Sequence, residues 1–457
     1  MPVVSTFQSF LHASNIALFD VLSAALSLWL YLIIVSLRSH FCTPAIKKSD
    51  KITLDNCSSL RLPFVSIIVP ARNEEENIEK CLLSLVSQDY PGFEIIAVDD
   101  ISTDRTLAIM KKIESSSHEM RLKVISLHDK PDEWTGKTWA SQQGYMQSRG
   151  DILLFTDADS YYKSKDAIML TVMRMLQEKL DVLTGVPYLA LQDFWSKIVM
   201  PVWNLYSEIF GSGIADVNKP KSKVAFVMGS FFMIRRQIFE EIGTYQRVRH
   251  EIQEDKAIGA ILKRNHYNIK MFKVDEIMSA LLSRDLPTLW HVIRRTIIPI
   301  AIKSRWRLVQ HMFILFFMIV MPFALLPYTI ILSHSTFDYY GLQSVPSLQY
   351  LYKLEHYPIW ISSVIQGAAS PASLIFISVF LCLLIITATA VKGFSKYRLP
   401  PYYAIVSTAG AVFLIVVYAY SIIPFLIGHN IQPVSWRGRM HDLSLLHYSK
   451  RKLQQEK

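Results

Sequence analysis

The chain has 457 residues, of which 51% are hydrophobic, and a formal net charge of +10. That apolar content exceeds an ordinary soluble enzyme's and leaves room for one α/β domain of about 200 residues plus membrane spans. The basic residues are dispersed with no nucleic-acid motif, which speaks against a nucleic-acid partner. The cysteines (Cys42, Cys57, Cys81, Cys382) lack the close-paired spacing of a zinc site or disulfide framework.

Residues Ile16 to Leu37 carry only Asp20 as a charge and are long enough to cross about 30 Å of hydrocarbon. The segment lacks a basic flank before it and a small-residue cleavage site after it, so it reads as a retained anchor rather than a signal peptide. Arg38, Lys47, Lys48, Lys51 and Arg61 follow it, whereas residues 1–15 hold no Lys or Arg. The positive-inside rule then puts the N-terminus outside and the next domain in the cytoplasm.

That domain opens with a strand at Val65 (VSIIVPA). A helix follows Arg72-Asn73, with Ile78, Cys81, Leu82, Leu85 and Val86 at helical spacing. Tyr90-Pro91-Gly92 turns the chain into a second strand, Glu94 to Val98. Ser102 or Thr103 is expected to cap a helix beginning near Arg105. Lys123 to Leu127 and Ile152 to Phe155 supply further strands. Strands alternating with helices predict an α/β fold with a mostly parallel sheet.

Phe194 to Ile214 changes to aromatics and aliphatics, which suits a helix against the bilayer, one shielding an acceptor site, or an ordinary core helix. From Pro287 to Arg307, basic residues (His291, Arg294, Arg295, Lys303, Arg305, Arg307) interleave with Trp290, Trp306 and isoleucines, a pattern for the lipid headgroup region. Met312 to Leu332, Leu374 to Val391 and Ala404 to Ile427 are further spans. Three spans after a cytoplasmic domain leave the tail outside, yet Arg437, Arg439, Lys450, Arg451 and Lys452 favour the cytoplasm. A short or re-entrant crossing at Tyr357 to Ser373 would restore parity.

Chemistry concentrates where apolar strands end in carboxylates, because ligands of open α/β sheets bind outside those ends. Asp99-Asp100 ends one strand and Asp157-Ala158-Asp159 another, making an acidic cleft for a nucleotide and a divalent metal. Alternate strand residues point to opposite faces, so both acids of the second motif meet one ligand set only at the strand's end. Glu254-Asp255, in HEIQEDKAIGAIL, offers either a general base or charges favoured by a helix N-terminus. The run Trp134 to Thr138 (WTGKT) fails as a phosphate-binding Walker loop, since Pro131 stands where the earlier glycine is required.

The run VSIIVPARNEEEN, then EIIAVDDISTDRT, then LLFTDADS resembles the family-2 glycosyltransferases from roughly Pro63 to Phe272. Those enzymes use a single nucleotide-sugar-binding α/β unit, the GT-A fold. The resemblance implies that Asp100, beside Asp99, accepts a hydrogen bond from uracil while Asp104 organises the loop. It places Pro70, Ala71 and Asn73 on the other wall of the donor pocket. It implies Mg²⁺ or Mn²⁺ held by Asp159 with Asp157, Asp255 as base, and Glu254 orienting the acceptor.

A related membrane subgroup places a W-x-G-K segment beside the donor. Lys137 either neutralises a diphosphate oxygen there or is an exposed loop lysine. Gly229-Ser230, in VMGSFFMIRR, resembles the family's small-residue turn below the acceptor. Arg305-Trp306 resembles the end of the Q-x-x-R-W signature near the diphosphate and acceptor. Ile302 replaces its glutamine, which speaks against a processive polysaccharide synthase. VSWRGR, with Trp436 and Arg437, resembles the tail of ceramide, hopanoid and carotenoid glycosyltransferases; its arginines contact phosphate or headgroups, or anchor the chain on the positive side.

The expected organisation is an anchor and basic linker (1–62), a cytoplasmic GT-A domain (63–285), an interfacial helix (286–310), a transmembrane region (311–430) and a basic tail (431–457). The expected activity is inverting, metal-dependent transfer of one sugar from a nucleotide sugar, a UDP-hexose, to a membrane lipid at the cytoplasmic side. A processive polysaccharide synthase, or a non-catalytic membrane protein with a degenerate transferase domain, are the alternatives.

Overall fold

The structure is a computed structural model that describes residues 2–53, 62–116, 121–210, 214–222, 224–283, 285–329, 371–426, 434–436 and 439–441. It falls into two compact units: one holds 36–196, 207–303 and 421–457, the other 1–35, 197–206 and 304–420.

In the first unit a seven-stranded sheet has the order β3-β2-β1-β4-β8-β6-β9. Its strands are β1 (Val65–Ala71), β2 (Phe93–Asp99), β3 (Leu122–Ser126), β4 (Ile152–Phe155), β6 (Val182–Val186), β8 (Phe232–Arg235) and β9 (Ile269–Lys273). Only β8 runs against its neighbours. A smaller sheet, β5-β10-β7, joins β5 (Ser160–Tyr162), β7 (Tyr188–Ala190) and β10 (Met278–Leu281).

Strand alternation sorts the core into two faces. Val65, Ile67, Val69, Ile152, Leu154 and Met233 pack with Ile78, Cys81 and Leu82 of α2 (Ile78–Val86), Met110 of α3 (Thr106–Ser116) and Val172 of α5 (Ala167–Gln177). Ile68, Leu153, Phe155, Phe232 and Ile234 face the other way, toward Phe239 of α8 (Arg236–Glu241) and Ile258 and Leu262 of α9 (Glu254–Arg264). Strands covered on both faces need near-continuous apolar runs, which VSIIV and ILLF provide. On this second face α4 (Gly136–Met146) lies so close to the sheet that a Cβ on Gly144 would meet Ile68 Cγ2 at 2.6 Å.

The cap of α3 differs from expectation. Asp104 Oδ1 accepts from the Thr106 backbone N–H at 2.9 Å and from its hydroxyl at 2.5 Å, while Ser102 and Thr103 are committed to Asn73. A carboxylate two residues before the helix outcompetes hydroxyls already engaged across the loop.

The second unit contains four helical stretches long and apolar enough to cross a membrane: Asp20–Arg38 in α1 (Pro2–Cys42), Trp306–Thr329 beginning in α11 (Arg305–Leu315), Ile375–Gly393 in α12 (Pro371–Lys396) and Ser407–Pro424 in α13 (Ser407–Leu426). The sequence windows match them; the Tyr357 to Ser373 segment lies largely outside the described residues. A π-helical turn at Phe316–Val320 shifts the regular bonding, and the buried Trp29 indole donates to the Met318 carbonyl at 3.1 Å. Of the readings open for 194–214, residues 197–206 of α6 (Phe194–Phe210) pack with these apolar helices. A Cβ on Gly410 would meet the Ile198 carbonyl oxygen at 2.3 Å, and Trp203 stacks on Tyr418.

Candidate active site

The carboxyl ends of β1 and β2 are tied by one hydrogen-bonded loop pair. Asn73 adopts φ 52° and Ile101 φ 56°. Asparagine tolerates the left-handed region, whereas a β-branched residue there is strained and needs support. Support comes from Arg72, whose Nη1 donates to the carbonyls of Asp100 at 2.5 Å and Ile101 at 2.7 Å. The Asn73 N–H donates to Ser102 Oγ, and the Thr103 N–H donates to Asn73 Oδ1. Asp100 donates its N–H to the Ala71 carbonyl, and Asp99 Oδ2 accepts from the Ser102 N–H. Both aspartates are only 2% exposed. Burial works against ionisation of Asp104, but bonds from Thr106 and Glu75 hold its carboxyl below the usual range.

The second rim joins β4, α4 and α9. Thr135 caps α4, accepting from the Thr138 N–H at 3.3 Å, so the WTGKT segment is a capped helix start. That start is pinned by Thr135 N–H and Thr138 Oγ1 bonds to the Arg249 carbonyl. Lys137, in the first turn, puts Nζ 2.7 Å from Asp157 Oδ1 and 3.2 Å from Glu254 Oε1. Its side chain is 18% exposed, neither a surface lysine nor a solitary charge. Burial disfavours the ammonium, yet Asp157 and Glu254 more than offset this and raise its pKa.

Glu254 and Asp255 occupy the first turn of α9, where the helix dipole favours acids; both also line the cavity. Burial, with the neighbouring Glu254 charge adding to it, pushes Asp255 up to about 6. Gly229-Ser230 are the centre of a turn closed by the Phe231 N–H to the Met228 carbonyl, and Thr156 Oγ1 fixes that turn to the end of β4 through the Ser230 carbonyl.

These elements surround a cavity of about 470 Å³, within the range of small-ligand sites. Of the residues the sequence singled out, Pro70, Lys137, Asp157, Asp159, Gly229, Ser230, Glu254 and Asp255 line it. Ala71, Asn73, Asp99 and Asp100 are not among its lining residues; they build the adjoining loop. Trp306 is 72% exposed, belongs to the other compact unit and does not line the cavity, and the Arg305 side chain is outside the described residues. Trp436 is in β11 (Val434–Trp436), which pairs with β12 (Arg439–His441) and lies beside α10 (Leu286–Lys303); Arg437 is outside the described residues.

Sequence reasoning missed several liners: Arg72 and Glu74 after β1, and Thr288, His291, Val292, Arg295 and Thr296 of α10. The signal for α10 was present as a 288-291-292-295-296 stripe at helical spacing, but its basic charge pointed to lipid headgroups. Gln253, just ahead of Glu254, donates through Nε2 to the Thr296 carbonyl at 3.1 Å and fastens α10 to α9.

A mostly parallel sheet with acids gathered at its carboxyl edge defines an α/β domain with its ligand cleft at that edge. Residues 66–243 match the model of Glycosyl transferase family 2, and the chain carries a domain of that family. A probable glycosyltransferase of Bacillus subtilis, YdaM, is 28% identical over 214 residues, 46% of this chain and 49% of that protein. The 4,4'-diaponeurosporenoate glycosyltransferase of Staphylococcus haemolyticus is 23% identical over 210 residues, 46% of this chain and 54% of that one. The chain thus spans about half the length of these curated relatives. A Pyrobaculum calidifontis mannosyltransferase solved with GDP-Man and Mn²⁺ is 17% identical, with a TM-score of 0.45 over 80% of this chain and 98% of its own.

Proposed function

We propose that this protein is an inverting glycosyltransferase that moves a single sugar from a nucleotide-sugar donor, a UDP-hexose, to a membrane lipid on the cytoplasmic side. The observation that carries the reading is the convergence of the β4 carboxylates and the first turn of α9 on one cavity. The acceptor oxygen bonds the sugar's anomeric carbon as the bond from that carbon to the diphosphate breaks, and the acceptor proton passes to Asp255. A carboxylate held near 6 is a better base at neutral pH than an ordinary aspartate, because catalysis is best when base pKa approaches operating pH. Asp100 and the loop built on Asn73 hold the uracil end.

The site fits Mg²⁺ or Mn²⁺, which bind through one or two carboxylates plus phosphate oxygens. Asp157 and Asp159 supply such carboxylates at one strand end. Among the described residues no group of three or more His, Cys, Asp or Glu side chains is placed to hold a metal ion by itself. When bound, that cation offsets the charge gathering on the leaving diphosphate.

Four stretches apolar enough to cross a membrane support a lipid acceptor. The tail's β11 lies beside α10 in the same compact unit as the sheet, which supports placing the tail on the catalytic side. The test is to incubate membranes containing the protein with a panel of labelled nucleotide sugars. Label from one donor should enter the lipid extract. Label retained in polymer would move the reading to a polysaccharide synthase, and no incorporation from any donor would overturn it.

A further inference from the structure

Lys137 stands between two carboxylates that come from different elements. Asp157 follows β4 by two residues and Glu254 begins α9, and one ammonium sits 2.7 Å from the first and 3.2 Å from the second. Glu254 is 11% exposed at its side chain, and Asp255 and Tyr245 contribute to the same electrostatic neighbourhood. Without the ammonium, Asp157 and Glu254 would face each other as like charges in a half-buried cleft, which disfavours both ionised forms.

Gly229 supplies the space. A Cβ there would come 2.7 Å from Lys137 Nζ, 3.8 Å from Asp157 Oδ2 and 3.9 Å from Glu254 Oε1. No methyl fits without displacing the ammonium, so a glycine in the turn before β8 and a lysine in the first turn of α4 serve one contact. The capped start of α4, pinned to the Arg249 carbonyl, fixes where the lysine stem originates.

We infer that Lys137 is a positioning residue: its ammonium clamps the donor-strand carboxylate Asp157 to the base-helix carboxylate Glu254, in the space that Gly229 leaves, and so holds Asp255 in register with the sugar. Resting on the transfer reading above, this adds a clamping role to Asp157 and Glu254 beside their parts in holding the cation and orienting the acceptor. It also gives Gly229 a role apart from clearance for the acceptor.

The test is a double-mutant cycle on the full-length protein in detergent with Lys137→Met, Gly229→Ala and the double variant. Melting without substrate should show each single change lowering the midpoint, and Gly229→Ala adding almost nothing once Lys137 is Met. Fully additive effects would overturn the shared contact. Titration with UDP and Mn²⁺ should leave the Lys137→Met affinity within about threefold of wild type, whereas a loss of tenfold or more, about 1.4 kcal/mol, would make Lys137 a direct diphosphate ligand instead.

In transfer assays the acid limb of the rate profile should move upward in both single variants, because the ammonium favours the ionised form of Asp255; an unmoved limb counts against positioning. Arg should not rescue Lys137→Met, its fork being too large for the space over Gly229. Should Lys137→Met fail to fold, Gly229→Ala alone must still shift the limb while keeping UDP affinity. A wild-type protein that transfers no sugar would sink the transfer reading, while the melting cycle would still decide the clamp.

Discussion

The two rims of the cleft are built from different forces. The rim at β1 and β2 is a web of hydrogen bonds, in which Arg72, Asn73, Ser102, Thr103 and Asp104 satisfy one another and hold Ile101 in a strained conformation. The rim at β4 and α9 is held by charge, with Lys137 between Asp157 and Glu254 and burial pressing on Asp255. A hydrogen-bonded loop keeps its shape whatever the pH between its extremes, and suits recognition of a neutral base. A charge cluster responds to protons and cations, and suits chemistry. Damage to the first rim should therefore appear in donor affinity and stability, and damage to the second in turnover.

The largest break should come from Asp159→Ala. Losing a cation that stabilises the leaving group by several kcal/mol corresponds to roughly 10³ in rate at 1.36 kcal/mol per decade. Expression and melting should be little changed, and chelator-resistant turnover by the wild type would contradict the assignment. Asp255→Asn comes next, with transfer down by roughly 10² or more and donor binding intact. The wild-type rate should fall as pH drops through about 6, because the base works only when deprotonated, and the asparagine variant should lose that limb. Near-normal transfer by Asp255→Asn would shift suspicion to Glu254.

Asp100→Ala sharpens the contrast from the other rim. If the Asp100 carboxylate receives a uracil N–H, its removal loses a hydrogen bond to a charged group, about 1.5 to 3 kcal/mol. Titration should show UDP binding weakened by roughly tenfold or more, with turnover at saturating donor close to wild type. An unchanged affinity would show the base is bound elsewhere.

The apolar strands and the acids at their ends were legible in the sequence because both follow from short-range rules: alternation, length and abrupt polarity. Asp157 and Asp159 were singled out on that basis, whereas Glu254 and Asp255, at a helix start, were brought to the same site through the family resemblance. What periodicity could not supply was pairing across the chain. The antiparallel insertion of β8 between β4 and β6 depends on the whole sheet, and the meeting of Lys137 with Glu254 joins residues more than a hundred positions apart. The part α10 plays in the cavity wall went unread for a different reason. Its basic and aromatic pattern serves a headgroup region and a cavity lining equally well, and it took the fold, with Thr288, His291, Val292, Arg295 and Thr296 on the cavity and Gln253 bonded to Thr296, to bring it to the site.

The smallest expected effect tests whether the first rim is as mechanical as its bonds suggest. Asp104 both caps α3 and accepts from the Glu75 N–H at 3.2 Å. Asp104→Ala removes a cap contribution of about 1 kcal/mol and leaves the Glu75 N–H without that acceptor. Since the folded carboxyl titrates below its ordinary value, its contribution is present above that value and is lost as pH falls through the depressed one. The melting deficit of Asp104→Ala should therefore be full at neutral pH and shrink in strong acid. UDP affinity should drop only slightly, because the Arg72 and Asn73 bonds still hold the strained loop. Turnover at saturating donor should not move, since no bond of Asp104 reaches β4 or α9. A fall in turnover at unchanged affinity would mean that the rims are mechanically coupled, and the division between recognition and chemistry drawn from their bonding would fail.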